Sequence, residues 1–315
     1  MLDNLLFSLN IVMPLFLLMV LGFCLRRSGF VRAEFFQYGT KIVFYIGLPL
    51  SLLRSVSSTD IEQLLDFGLI AFTAVVAIAA LVVIWPLARL FIKDKGILGA
   101  FVQGSYSANV AFLGIPLLMN LGGDAGLARA ALVITVSVPI FNAGTVLVLA
   151  AYTDSETKIT MKDVAGNIIK NPLIIGIAAG VAFVAVGLRL PAAVETTMDS
   201  IAGMAAPLAL ICIGGGVVFQ GFDKRFKYAM AASVVKVLIT PIIFIAAGYS
   251  LGFRGIDLAA IMMLGGTPSA IAGYVTVVQM GGDGYTAGTI IVISTAMSAV
   301  TLTAFVYFLS VTGMI

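Results

Sequence analysis

Ser107–Asp124 reads SANVAFLGIPLLMNLGGD and Gly266–Asp283 reads GTPSAIAGYVTVVQMGGD, the second stretch following the first at an offset of 159 without a gap. Gly114 falls on Gly273, and the Gly-Gly-Asp of 122–124 falls on that of 281–283. The match continues downstream: ARAALVIT at 128–135 lies over AGTIIVIS at 287–294, with small and β-branched residues in register. Pro14 to Pro172 and Pro49 to Pro207 are each 158 residues apart. The chain therefore reads as two related halves, 1–157 and 158–315. In a membrane protein, an internal repeat of this kind marks a transporter built about a pseudo-two-fold axis.

The membrane follows from composition. Of 315 residues, 61% are hydrophobic and 10% charged, against roughly 45–50% and 25% in soluble domains. Leu5–Leu25 is too long for a secretory signal, is preceded by Asp3 instead of basic residues, and lacks a small-residue cleavage site before Arg26; it reads as a first transmembrane helix. Cys24 and Cys212 stand alone and the chain has no histidine. No disulfide framework, metal site or cofactor is expected, and a net charge of +3 gives no support to nucleic acid binding. An intramembrane enzyme would need paired acids, a nucleophile with its base, or metal ligands, and the sequence offers no such set.

A spanning helix takes about 20 apolar residues. Charges and turn residues divide the chain into ten: Leu5–Leu25, Tyr38–Val56, Phe67–Ile92, Leu98–Leu121, Gly126–Tyr152, Val164–Leu188, Ser200–Gln220, Tyr228–Leu251, Asp257–Met280 and Tyr285–Val311. Cations cluster after predicted helices 1 (Arg26, Arg27, Arg32), 3 (Arg89, Lys93, Lys95), 5 (Lys158, Lys162, Lys170) and 7 (Lys224, Arg225, Lys227). The other cation-bearing loops carry one each: Arg54, Arg129, Arg189 and Arg254. Cytoplasmic loops retain Lys and Arg, so both termini are expected outside a cytoplasmic membrane crossed ten times. Five helices per half is odd, which makes the second repeat inverted. The fold class is thus all-α integral membrane, ten transmembrane helices in two inverted five-helix repeats.

Predicted helices 4 and 9 are the poorest continuous helices. Helix 4 contains Ser105, Ser107, Asn109 and Gly114-Ile115-Pro116; helix 9 contains Gly265-Gly266-Thr267-Pro268-Ser269 and Gly273. An interior proline costs roughly 3 kcal/mol or more and a glycine about 1 kcal/mol, and freed backbone groups survive at membrane depth only where protein or a water-filled cavity satisfies them. One such helix reads as a proline kink; a matched pair in the two repeats reads as the binding site. Free N–H groups at half-helix starts suit an anion such as a carboxylate. The candidate substrate-binding residues are Ser107, Asn109, Gly114, Pro116, Thr267, Pro268, Ser269 and Tyr274. Lys236, inside predicted helix 8, is added as a charge partner, since an intramembrane ammonium defaults to function. Lys41 is close enough to a membrane face to snorkel. Gln103 and Asn142 read as interhelical hydrogen-bonding residues. No Asp or Glu lies mid-span, which disfavours carboxylate-based proton antiport, whereas sodium held by main-chain carbonyls at the breaks stays open.

Asn109-Val-Ala-Phe-Leu-Gly-Ile-Pro116, Asn171-Pro172-Leu, Pro207-Leu-Ala-Leu and Gly266-Thr-Pro268-Ser269 together resemble the auxin efflux carrier family, over essentially the whole chain. Bacterial members are often labelled malate or malonate permeases. The resemblance implies a fold similar to bile-acid sodium symporters, with helices 1, 2, 6 and 7 as a scaffold, often dimeric, and helices 3–5 and 8–10 as a moving transport domain. It implies that helices 4 and 9 cross at the substrate site, with Asn109 and Pro268 at the crossover. Plant members commonly have a proline where this chain has Ala108, which implies a milder break in helix 4. The expected partners are the bilayer, a small carboxylate and, through the scaffold, a second copy of the chain. A sodium- or proton-coupled carrier of another small solute, or a sensor without transport, are the alternatives.

Overall fold

The computed structural model describes residues 2–57, 66–152, 166, 169–186, 190–216 and 223–315. Among them every regular element is helical: α1 (Leu2–Arg27), α2 (Ala33–Ile42), α3 (Leu48–Ser57), α4 (Phe67–Phe91), α5 (Lys95–Tyr106), α6 (Ile115–Ala150), α7 (Pro172–Val186), α8 (Ala192–Gly216), α9 (Phe226–Val234), α10 (Thr240–Ser250), α11 (Gly255–Gly266), α12 (Ile271–Gln279) and α13 (Gly284–Val311). Seven helical segments are long and apolar enough to cross a membrane, and Pro172–Phe183 is a shorter apolar helix. The polarity of the fold is that of a lipid-embedded body. Along α4, Val75, Val82 and Leu90 are exposed, whereas Leu258 to Gly266 of α11 are buried all round, the mark of a central helix.

Three π-helical turns, Val43–Gly47, Val110–Gly114 and Val235–Ile239, join helical segments. Each stands immediately before a segment whose second residue is proline: Pro49, Pro116 and Pro241. A proline lacks the N–H of the ordinary helical bond and presses on the carbonyl four residues back. A widened turn takes up that clash without ending the helix.

Lys95–Ala150 is one apolar stretch of 56 residues, within which the sequence predicts two helices with a connection at 122–125. Its rod is broken inside α6, where Gly123 has φ 55° and ψ −133°. In a straight helix residues 118 and 126 would be about 12 Å apart; here a Cβ at Gly126 would overlap the Leu118 carbonyl. The chain thus doubles back at Gly123. Of predicted helix 6, the segment Pro172–Val186 is described, its first turn capped by the Asn171 side chain accepting from the Leu173 amide at 2.9 Å. The expected half boundary at 157, the polar connection around it, and Lys158, Lys162 and Arg189 lie outside the described residues.

Close packing divides the helices. α1 lies on α8 backbone to backbone, where a Cβ at Gly22 would overlap the Ile211 carbonyl and one at Gly214 the Met19 carbonyl. α3 lies on α7 in the same manner, a Cβ at Gly176 falling 2.5 Å from the Pro49 carbonyl oxygen. Small residues that let helix backbones meet are the usual adhesive in lipid. Two ion clusters bind other helices by their first turns. Arg129 of α6 pairs with Asp257 of α11 at 2.5 Å and with Asp66, which caps α4, at 3.7 Å. Arg225, before α9, pairs with Asp223 at 2.6 Å and with Asp283, before α13, at 2.8 Å. The Asp283 amide donates to the Gly96 carbonyl of α5 at 3.3 Å.

Candidate functional site

The backbone leaves helical geometry where the sequence predicts it. α5 ends at Tyr106 and Ser107 is extended, with φ −79° and ψ 138°. Asn109, with φ −83° and ψ 59°, then opens the π turn that leads into α6. α11 ends at Gly266, Thr267 is extended (ψ 146°), and α12 starts after an extended Ala270 (ψ 129°). In predicted helix 4 the chain turns extended at Ser107 and re-enters through a π turn before Pro116. The two interruptions touch. The Asn109 amide donates to the Pro268 carbonyl at 2.8 Å, and these are the two residues that the offset of 159 superimposes.

Local contacts hold this meeting point. The Asn109 side chain accepts from the Phe112 amide at 3.3 Å, capping the π turn. The Tyr106 hydroxyl donates to the Phe141 carbonyl and meets the Thr145 hydroxyl at 2.9 Å, fixing the end of α5 to the far limb of α6. Gly114 makes room for α11, since a Cβ there would sit 2.5 Å from the Met263 sulfur. Pro116 starts α6, where its missing N–H costs nothing. The Thr267 amide and hydroxyl both donate to the Met263 carbonyl, at 3.1 and 2.9 Å. The Ser269 amide donates to Ser294 at 3.2 Å, and the buried Ser269 hydroxyl has no partner among the described residues.

A cavity of about 130 Å³ opens beside the meeting point. Its polar lining is Ser107, Asn109, Asn142, Thr145 and Asn171, and among the described residues no charged side chain contributes. Three helical starts converge on it: the π turn at Asn109, α12 at Ile271, and α7 at Asn171 and Leu173. The first N–H groups of a helix have no partner within it and carry the positive end of its dipole. Helical starts and neutral polar side chains are the surroundings in which main-chain dipoles favour an anion. A volume well under the roughly 300 Å³ of drug-sized sites suits a solute of a few heavy atoms.

Of the residues selected from sequence, Ser107 and Asn109 line this cavity, while Gly114, Pro116, Thr267, Pro268 and Ser269 build the frame around it. Tyr274 lines a second, larger space of about 380 Å³ between α1, α2 and α8 on one side and α12 and α13 on the other. Ile271 lines both. At the end of the larger space stands Arg26, whose guanidinium donates to the Gly215 carbonyl at 2.6 Å. Lys236 is turned elsewhere: its ammonium meets main-chain carbonyls of α11. Lys41 is exposed and lies over the Tyr38 ring. The Gln103 amide nitrogen, expected to bond across helices, is buried without a partner against Gly273, where a Cβ would overlap it. Sequence reasoning passed over Thr145 and gave Asn171 no role at the site. The signal for Asn171 was its place just before Pro172, the pattern of a helix cap.

A family model described as "Membrane transport protein" matches residues 7–306. An uncharacterized transporter of Methanothermobacter thermautotrophicus is 24% identical over 298 residues, covering 94% of this chain and 96% of the relative. A Rhizobium meliloti protein, provisionally named a malonate transporter, is 25% identical over 306 residues, 95% of this chain and 94% of its own length. The uncharacterized transporter YfdV of Escherichia coli is 22% identical over 276 residues, 85% of this chain and 87% of the relative.

Proposed function

This chain belongs to the membrane transport protein family, the auxin efflux carriers that its sequence resembles, and on that premise we propose that it moves a small carboxylate, of malonate or malate size or an auxin-like acid, across the cell membrane by alternating access at the meeting of its two interrupted helices. The observation that carries this reading is the cavity at Asn109, lined by residues of three helical starts and, among the described residues, by no charged side chain. A dicarboxylate gains there from backbone N–H groups and neutral amides, in the manner of anions at half-helix ends of other carriers. The name of the Rhizobium relative supports the same substrate class.

The finer architecture belongs to the same proposal: ten crossings in two inverted five-helix repeats, both termini outside. Its support is the exchange of equivalent contacts between the halves. Predicted helix 1 meets 7 as α1 on α8, and helix 2 meets 6 as α3 on α7, both through glycines. One ion cluster joins the starts of predicted helices 3, 5 and 9, the other those of 8 and 10, with the Asp283 amide reaching 4. In this orientation the larger space opens to the cytoplasm beside Arg26, a cation placed to draw anions toward the crossing.

Thermal unfolding of the purified protein with malonate, malate and indole-3-acetate, paired with uptake into proteoliposomes, tests the reading. At least one acid is expected to raise the midpoint and to enter saturably, and Asn109→Ala to weaken both. Absence of any shift with every carboxylate removes the anion reading, and a shift without flux would leave a sensor.

A further inference from the structure

Lys236 is fully buried in the π turn Val235–Ile239 and takes no part in the cavity at Asn109. Its ammonium donates to the Gly265 carbonyl at 2.6 Å and the Leu264 carbonyl at 3.2 Å. These carbonyls end α11 at the interruption, so no following helical turn satisfies them, and they form the negative end of its dipole. Thr267 directs both its donors to Met263 instead, which leaves Leu264 and Gly265 to the ammonium.

Among the described residues no carboxylate neutralises it. The elements packed around the π turn are α5, α9, α10, α11 and α13. Their ionisable groups, with those at their starts, are Asp94, Lys95 and Tyr106; Arg225, Lys227 and Tyr228; Tyr249; Arg254 and Asp257; and Asp283, Tyr285 and Tyr307. None bonds Lys236. Asp257 is held by Arg129 and Asp283 by Arg225, Asp94 caps α5, and Tyr106 donates to Phe141. Two carbonyls at the unwound end of a half-helix, without an acid, are the donor set with which broken-helix carriers hold sodium. The fit is tight on the far side, where a Cβ at Gly265 would sit 2.7 Å from the Pro241 backbone.

We propose that Lys236 is a tethered cation standing where a coupling sodium ion would bind, so that the cation linked to the state of the crossing is the proton it carries. The functional meaning rests on the transport reading above; the site itself does not. Protonated, the side chain bridges the end of α11 to the π turn. When the ammonium gives its proton to water, a neutral amine remains and the carbonyls lose their counter-charge. The proton on Lys236 is therefore coupled to the arrangement of α11 and the π turn, and removing the side chain changes the pH dependence of folding.

The experiment needs no substrate: thermal unfolding of the whole protein from about pH 6 to about pH 10, up to the ordinary lysine range, in sodium chloride and in choline chloride. Wild type is expected to give equal midpoints in the two salts. Lys236→Met is expected to gain several degrees from sodium, which can reach the vacated carbonyls, and to depart from the wild-type pH profile between about pH 6 and about pH 10. If Lys236→Met does not fold, Lys236→Gln, which keeps one donor, replaces it. A sodium-dependent rise in wild type, or parallel pH profiles for wild type and variant, overturns the proposal. A malonate shift measured at pH 7 reports the carboxylate reading separately, so either idea can fail alone.

Discussion

Asn109→Asp separates the structural role of Asn109 from its role at the cavity. The wild-type side chain caps the π turn by accepting from the Phe112 amide, and aspartate caps as well as asparagine, so folding is expected to change little. The difference is one of charge, because a carboxylate then lines a cavity that has none. Two like charges about 4 Å apart repel by about 4 kcal/mol at an effective dielectric constant of 20. The alternative is to protonate the new aspartate, which from an ordinary value near 3.9 costs about 4 kcal/mol at pH 7. Either route lowers malonate affinity by at most about 10³-fold at pH 7. At pH 5 protonation costs only about 1.5 kcal/mol, and the ratio of wild-type to variant affinity should fall to about tenfold. Calorimetric or thermal-shift titration of malonate on both proteins, compared at each pH so that the ligand's own ionisation cancels, gives that ratio. A ratio under about tenfold at pH 7, or one that does not shrink on acidification, would refute the idea that the anion sits against Asn109.

Gly214→Ala drives a Cβ into the Met19 carbonyl of α1, which cannot turn aside as a side chain could; a loss of about 1–3 kcal/mol is expected, read as a lower unfolding midpoint, while Gly216→Ala, with open space around it, leaves the midpoint unchanged. Gly123→Ala meets no neighbour but forces an alanine to φ 55° and ψ −133°, so its cost of about 1–3 kcal/mol is pure backbone strain, and Gly123→Asn, more tolerant of positive φ, should lose less in the same melt.

The interruptions were legible because glycine and proline break helices whatever surrounds them. Gly265, Gly266, Pro268 and Pro116 therefore announced them, and the repeat placed Asn109 opposite Pro268 before any contact was known. The doubling back at Gly123 was legible: a glycine pair signals a turn, and two helical limbs meet there across a kink with positive φ. The partners of Lys236 were not legible. A lone lysine in an apolar run says only that something compensates it, and here the compensation comes from carbonyls 28 and 29 residues away, groups that every residue possesses and no sequence distinguishes. Asn142 and Asn171 share one cavity wall for a similar reason: which polar residues converge depends on how α6 folds back and where α7 begins.

The two ion clusters bear on how such a molecule could move. Arg129 fastens α4, α6 and α11 together, and Arg225 with Asp283 fastens α9 to α13, with α5 held to the same corner through Gly96. None of these fastenings reaches α1, α2, α3, α7 or α8. They work as rivets within a carriage, not as bolts between carriage and rail. A shift of the six riveted helices past the others would leave every rivet whole, and its resistance would come from the seam between the two groups, where Asn120 of α6 donates to the Ile11 carbonyl of α1 at 3.0 Å amid apolar side chains.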